Sequence, residues 1–223
     1  MSMKFFLSAI AKFTLGVVLI GVLLFLPAGT LRYPQGWLLM GIRFIPMFLA
    51  GLVMMAKNPA LLRSRLNAKE KRGEQSLVVK LSGLMFLVGF IVAGLSFRFD
   101  WWMLPQWVSI LGSVLFLASY ALYAEVLREN TWLSRTIEVQ EGQTVVSTGL
   151  YGIVRHPMYA VTLVLFLSMP LVLRSALAFV VFLAYPAIIA GRLLDEERFL
   201  AAELPGYSEY MQKVKWRLIP FVW

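Results

Sequence analysis

The chain has no cysteine and a single histidine among its 223 residues. The lack of cysteine excludes disulfides, thiolate nucleophiles, cysteine-based zinc sites and thioether-linked haem. A single imidazole disfavours a histidine-based metal centre as well, so we expect no bound metal. Charged residues are also scarce, at 15% of the chain, and the 12 acidic residues are outnumbered by 21 Lys and Arg. The chain therefore has too little polar surface for a soluble protein of this length.

Hydrophobic residues make up 60% of the chain, and the mean hydropathy is +0.76. A helix needs about 20 apolar residues to cross a bilayer core. Four runs meet this length and two further runs reach about 15 residues: 5–26, 37–56, 77–97, 107–127, 158–172 and 176–190. The sequence predicts an all-α, polytopic integral membrane protein with about six hydrophobic helices. We expect Arg43, inside the second run, to snorkel or to pack against protein.

Basic residues are concentrated between the second and third runs. Seven of the 21 Lys and Arg lie within residues 57–80, so the positive-inside rule predicts a basic cytoplasmic loop over 57–76 and cytoplasmic N- and C-termini. The net charge of +9 is expected to meet anionic membrane lipids, not nucleic acid. We divide the chain into residues 1–127, with helices one to four, and residues 128–223, with a cytoplasmic connector, a helical hairpin and a C-terminal tail that together form a candidate site.

The last two apolar runs predict a tight hairpin, because little more than Arg174 and Ser175 separates them. We expect Pro170 to end or kink its first arm and Pro186 to interrupt its second arm. A hairpin would bring residues 155–159 and 192–197 to the same membrane surface.

Each of these two polar segments has an ordinary structural interpretation when it is taken alone. Arg192 and Glu196 are four residues apart on a predicted helix, where exposed ion pairs are common and weak. Arg155 and Tyr159 flank a proline at a helix start, as in many membrane anchors. Together, the segments predict a polar site in which an acid holds an ammonium group and Arg192 holds a carboxylate.

Three motifs of the second half carry a resemblance to a known family. They are Gly149-Leu150-Tyr151-x-x-x-Arg155-His156-Pro157-Met158-Tyr159, Glu196-Glu197-x-x-Leu200, and Gly206-Tyr207-x-x-Tyr210 with Ile219-Pro220. Over residues 129–220 the chain resembles the isoprenylcysteine carboxyl methyltransferase family. It is similar, more broadly, to the membrane methyltransferases that include phospholipid N-methyltransferases. The segment Asn58-Pro59-Ala60-Leu61-Leu62 resembles the bacterial branch, which suggests a bacterial inner membrane with the active site facing the cytoplasm.

The resemblance implies methyl transfer from S-adenosylmethionine to a lipophilic acceptor that arrives from the bilayer. Arg192 and Glu196 match positions of the family's catalytic site, Arg192 beside the acceptor and Glu196 at the cofactor. The positions that match the cofactor pocket are Gln143, Thr144, Val145, Val146, Tyr151, His156, Pro157, Met158, Tyr159 and Glu196, with Thr136 a weaker match.

An acceptor carboxylate is the first choice, because it is ionised at neutral pH and needs no general base. A phospholipid or other lipid amine is an alternative, with Glu196, Glu197 or Glu125 as the base. Glu125 belongs to a charged cluster with Arg128 and Glu129 that is interpreted as an interfacial ion cluster or as one wall of the site. An NADPH-dependent sterol-type reductase would need more clustered cations than Arg155 and Arg192. A non-enzymatic lipid-binding or transport protein also stays open.

Overall fold

The computed structural model describes residues 3–57, 62, 73–133 and 138–223, and most of them lie in α-helices. The isolated bridge between Met103 and Ser175 is the only β-pairing within these ranges. Most of the predicted basic loop 57–76, the segment from Asn58 to Leu61 and Thr136 lie outside the described residues. In chain order the helices are α1 (Met3–Ala28), α2 (Pro34–Lys57), α3 (Gly73–Phe99), α4 (Gln106–Glu129), α5 (Pro157–Val172), α6 (Ala176–Phe182), α7 (Ala184–Glu203) and α8 (Tyr207–Lys213).

Five segments of the described chain are long and apolar enough to cross a membrane. Four belong to α1 to α4, and the fifth runs through α6 and α7 over Ala176–Glu203, while α5 is a shorter apolar helix. The predicted class, an all-α polytopic membrane protein, is therefore confirmed. The cytoplasmic placement of the termini and the division at residue 127 stay predictions.

Glycines allow the helices to approach closely where they cross. A Cβ on Gly112 of α4 would lie 2.7 Å from the backbone nitrogen of Val172, at the end of α5. A Cβ on Gly94 of α3 would lie 2.5 Å from the carbonyl oxygen of Leu24 in α1. Small residues at such crossings bring helix backbones into van der Waals contact, which is how apolar helices gain association energy in lipid.

The predicted hairpin is present, and its tip lies at the far end of α5 from the polar segments 155–159 and 192–197. Ser175 caps α6 by accepting a hydrogen bond from the Ala178 N–H at 3.1 Å. The hydroxyls of Tyr33 and Ser109 donate to the carbonyls of Leu173 and Val172, at 3.0 and 2.7 Å. These bonds satisfy carbonyls that the end of α5 leaves without intrahelical partners.

The break in the second arm of the hairpin lies three residues before the proline that we expected to cause it. Helix α6 ends at Phe182, and α7 begins at Ala184 with Pro186 in its first turn. A proline ring clashes with the carbonyl four residues earlier, which here belongs to Phe182. The proline is thus accommodated by ending one helix and starting another.

Arg43 packs inside the protein, one of the two outcomes expected for it. Its guanidinium donates to the sulfur of Met169 on α5 at 3.6 Å, and the Tyr120 hydroxyl donates to its backbone carbonyl at 3.0 Å. The guanidinium carbon lies 5.7 Å from the Phe44 ring centre. These contacts place Arg43 between α2, α4 and α5.

Candidate functional site

The hairpin brings the start of α5 against the second half of α7. Arg192 donates from Nε to the Tyr159 hydroxyl at 2.9 Å, and that hydroxyl donates to the carboxylate of Glu196. Since Tyr159 and Glu196 are 37 residues apart in sequence, their contact depends on the hairpin. The two polar segments predicted to meet do meet, and a tyrosine lies between the arginine and the acid.

Glu197, the neighbour of Glu196, lies in a separate and buried ion cluster. Its carboxylate accepts hydrogen bonds from Arg155 at 2.6 Å and from Arg217 at 2.8 Å, and His156 Nε2 lies 3.2 Å away. The Glu197 side chain is only 4% exposed. Arg155 also donates to the backbone carbonyl of Val214 at 2.9 Å. This cluster joins the start of α5, the end of α7 and the C-terminal tail.

The tail is also held by backbone hydrogen bonds. The N–H groups of Arg155 and His156 donate to the carbonyls of Trp216 and Arg217, at 2.8 and 3.0 Å. Before this pairing, the chain leaves α7 through Leu204-Pro205-Gly206 and forms the short helix α8. This tripeptide therefore separates α7 from α8. Gly206 has a φ of +84°, in the left-handed region that glycine adopts without strain.

These elements enclose a cleft with about 800 Å³ of empty space when its open mouth is counted. One wall comes from the connector after α4, another from the start of α5, a third from α7, and the last from the tail. The lining residues are Asn130, Trp132, Leu133, Glu138, Gln143, Thr144, Val145, Val146, Tyr151, Arg155, His156, Met158, Tyr159, Arg192, Glu196, Leu200, Leu204, Tyr207 and Tyr210.

The connector wall is held in shape by its own amides. Gln140 donates from its side chain to the carbonyl of Trp132 at 2.7 Å, and its backbone N–H donates to the side chain of Gln143 at 2.9 Å. The Tyr210 hydroxyl donates to the carbonyl of Tyr151 at 2.7 Å. These bonds fix the connector against the tail, with the cleft between them.

Two tyrosines of α8 face the acids of the site. Burial, followed by the nearby carboxylates of Glu196 and Glu197, raises the pKa of the Tyr207 phenol well above its usual range. Burial likewise raises the pKa of the Tyr210 phenol. Both groups therefore remain protonated and can donate hydrogen bonds at neutral pH. The described residues contain no cluster of three or more metal-ligating side chains.

The structure brings nearly all of the predicted site residues to one place, although their roles remain predictions. Nine of the ten residues matched to the cofactor pocket line the cleft, and so does Arg192. Pro157 is the exception, because it is buried at the first position of α5, where the missing N–H costs no hydrogen bond.

The charged cluster at the end of α4 lies beside the connector. Arg128 pairs with Glu125 at 2.6 Å, and Thr148 donates to Glu129. Its residues are not among those that line the cleft, so it is placed as an ion cluster and not as a wall of the site.

Several lining residues had no sequence prediction. They come from the connector, from the end of α7 and from the tail: Asn130, Trp132, Leu133, Glu138, Leu200, Leu204, Tyr207 and Tyr210. The tail tyrosines had a signal in the Gly206-Tyr207-x-x-Tyr210 motif, but only as a family match. The contact between Glu197 and Arg217 had no signal in the sequence, because it forms only when the tail folds back against α7.

Comparison with known proteins agrees with the family that the motifs suggested. The model of the isoprenylcysteine carboxyl methyltransferase family matches residues 108–202. A solved structure of the eukaryotic intramembrane Ras methyltransferase, an isoprenylcysteine carboxyl methyltransferase, superimposes on this chain with a TM-score of 0.59. That similarity covers 96% of this chain and 77% of the other at 19% identity, which shows a common fold.

Two curated relatives share parts of the sequence. The cobalt-zinc-cadmium resistance protein CzcN of Cupriavidus metallidurans is 33% identical over 132 residues, or 57% of each chain. A Delta(14)-sterol reductase of Mus musculus is 32% identical over 91 residues, which are 40% of this chain and 22% of the reductase. The chain thus spans less than two thirds of the length of either relative.

Proposed function

We propose that this membrane protein belongs to the isoprenylcysteine carboxyl methyltransferase family, whose model matches residues 108–202, and that it transfers a methyl group from S-adenosylmethionine to a lipophilic acceptor. The observation that carries the proposal is the cleft in which Glu196, Tyr159 and Arg192 meet beneath the tail. Within this one cleft, Glu196 can bind an ammonium group and Arg192 can bind a carboxylate.

The cleft suits a cofactor that has an aromatic, a polar and a cationic part. Val145, Val146, Tyr151 and Met158 offer apolar surface for a nucleoside, with Gln143 and Thr144 as polar neighbours. Glu196 offers a carboxylate for the cationic part. When bound, S-adenosylmethionine would supply an activated methyl group on a sulfonium sulfur. The protein then has to align the acceptor with that methyl and exclude water.

Arg192 is the proposed acceptor residue. Its planar guanidinium suits a carboxylate, and its contact with Tyr159 fixes the direction of one nitrogen. A carboxylate acceptor needs no proton removed before attack. This agrees with a site in which His156 lies against Glu197 in the buried ion cluster. O-methylation is therefore favoured over N-methylation.

We place the protein in a bacterial inner membrane, with the cleft facing the cytoplasm and the basic loop near anionic lipids. The excess of basic residues between α2 and α3 supports this orientation. The acceptor would reach Arg192 from the bilayer, while the cofactor would enter from the water.

Binding of S-adenosylhomocysteine, measured by calorimetry on purified protein in detergent, tests the cofactor. Glu196→Gln should weaken binding about 10-fold, because hydrogen bonds to charged groups contribute roughly 1.5–3 kcal/mol. Arg192→Lys should keep this binding and lose turnover. Glu125→Gln, in the exposed ion cluster, is the matched control and should change neither. Binding of NADPH in place of S-adenosylhomocysteine would overturn the proposal and favour a reductase.

The acceptor can be found by incubating membrane lipid extracts with methyl-labelled S-adenosylmethionine. A labelled product that releases methanol in base is a methyl ester and identifies a carboxylate acceptor. A base-stable label on a lipid amine would contradict O-methylation while leaving the methyl transfer itself intact. No labelled lipid in the presence of bound cofactor would contradict a lipid acceptor.

A further inference from the structure

Tyr207 carries a buried hydroxyl for which the described residues provide no hydrogen-bond partner. The residue is 4% exposed and lines the cleft. Its neighbour Tyr210, with a ring centre 5.6 Å away, donates its hydroxyl to the Tyr151 carbonyl. A buried polar group without a partner costs roughly 1–3 kcal/mol, so such groups are rare and usually have a reason.

The surroundings of the Tyr207 hydroxyl are strongly charged. Glu196 and Glu197 both act on it electrostatically, and Arg155 acts in the opposite sense. Since the phenol stays protonated, its oxygen can accept a hydrogen bond from a cation while its proton is donated to an anion. Neither acid accepts a hydrogen bond from the Tyr207 hydroxyl.

We propose that the Tyr207 hydroxyl binds the amino-acid end of S-adenosylmethionine, beside Glu196. That end carries an ammonium group and a carboxylate on one carbon. A neutral phenol can accept a hydrogen bond from the ammonium group or donate one to the carboxylate, and the neighbouring acid can hold the ammonium group. The inference rests on the proposed function and deepens it. It makes α8 part of the cofactor site and gives the tail a direct role in binding.

The contrast between an unpartnered and a partnered buried hydroxyl gives the experiment. Tyr207→Phe should leave the melting temperature of the ligand-free protein unchanged or raised, because the variant removes a hydroxyl that has no partner. The same variant should weaken S-adenosylhomocysteine binding about 10-fold, the usual effect of losing a hydrogen bond to a charged group. Methylthioadenosine has the nucleoside but no amino-acid end, so its affinity should not change.

Tyr33→Phe is the matched control. Its hydroxyl is equally buried, but it donates to the Leu173 carbonyl at the hairpin tip, far from the cleft. This variant should lower the melting temperature and leave the affinity for S-adenosylhomocysteine unchanged. The two variants are thus expected to give opposite patterns.

Three results would overturn the inference alone. The first is a loss of ligand-free stability in Tyr207→Phe as large as that in Tyr33→Phe, since the hydroxyl would then have a partner in the protein. The second is unchanged affinity for S-adenosylhomocysteine. The third is an equal loss for S-adenosylhomocysteine and methylthioadenosine, which would move the contact to the nucleoside. Failure of the unaltered protein to bind S-adenosylhomocysteine would instead overturn the proposed function, and this inference with it.

Discussion

Glu197→Gln is expected to be the most damaging of the conservative changes near the cleft. The carboxylate is 4% exposed and accepts charged hydrogen bonds from Arg155 at 2.6 Å and Arg217 at 2.8 Å. Removing one partner of a buried ion pair costs about 3–5 kcal/mol, because the other charge stays buried without compensation. Arg217 is 31% exposed and can regain water, so we expect the lower end, about 3 kcal/mol.

For a chain of this size, 1 kcal/mol corresponds to about 2–4 °C in melting temperature, so the expected loss is about 6–12 °C. Thiol-reactive dyes cannot follow unfolding in a protein without cysteine. The fluorescence of the seven tryptophans can, and one of them, Trp216, lies in the tail that Glu197 holds. Glu125→Gln breaks an exposed ion pair of the same 2.6 Å length and should cause no measurable shift. If both variants melt within 2 °C of the unaltered protein, the buried cluster does not stabilise the fold as we infer.

Three further changes test the packing that supports the site, each measured as a melting temperature in detergent. Gly112→Ala should lower the free energy of unfolding by about 1–3 kcal/mol, because its Cβ would overlap Val172. Gly83→Ala has open space around its Cβ and should be neutral or stabilising. Equal shifts in melting temperature would contradict the close helix crossing. Gly206→Ala should cost about 1–2 kcal/mol through its left-handed φ, and a neutral result would contradict the turn before α8. Ser109→Ala should cost about 1–2 kcal/mol by leaving the Val172 carbonyl without its partner, and an unchanged melting temperature would show that this bond contributes nothing.

The hairpin could be predicted because its determinants are local in sequence. Two apolar runs of about 15 residues, separated by little more than Arg174 and Ser175, predict that the chain turns back on itself. Once the turn is assumed, both arms of the hairpin return to one membrane surface, so residues 155–159 and 192–197 are expected on the same side. The turn thus predicted which segments meet, whereas the roles of individual residues came from the family resemblance.

The other wall of the cleft could not be predicted in the same way. Trp132 and Gln143 lie in a connector without hydrophobic periodicity, and their positions depend on amide hydrogen bonds to Gln140. The tail returns to the site through backbone pairing of Arg155 with Trp216. No periodic pattern encodes such a contact, because backbone groups are the same at every residue.

Glu196 and Glu197 are neighbours in the sequence, but their side chains contact different parts of the structure. Successive side chains on a helix differ in direction by about 100°, since there are 3.6 residues per turn. Glu196 therefore reaches Tyr159 and the cleft, while Glu197 reaches Arg155 and Arg217. Both residues lie on α7, so the helix that presents Glu196 to the cleft is also the helix that Glu197 attaches to the tail. A loss of ligand binding in a Glu197 variant would thus report displacement of the tail tyrosines, and it would appear together with the loss of stability. In a Glu196 variant the loss of binding should appear alone.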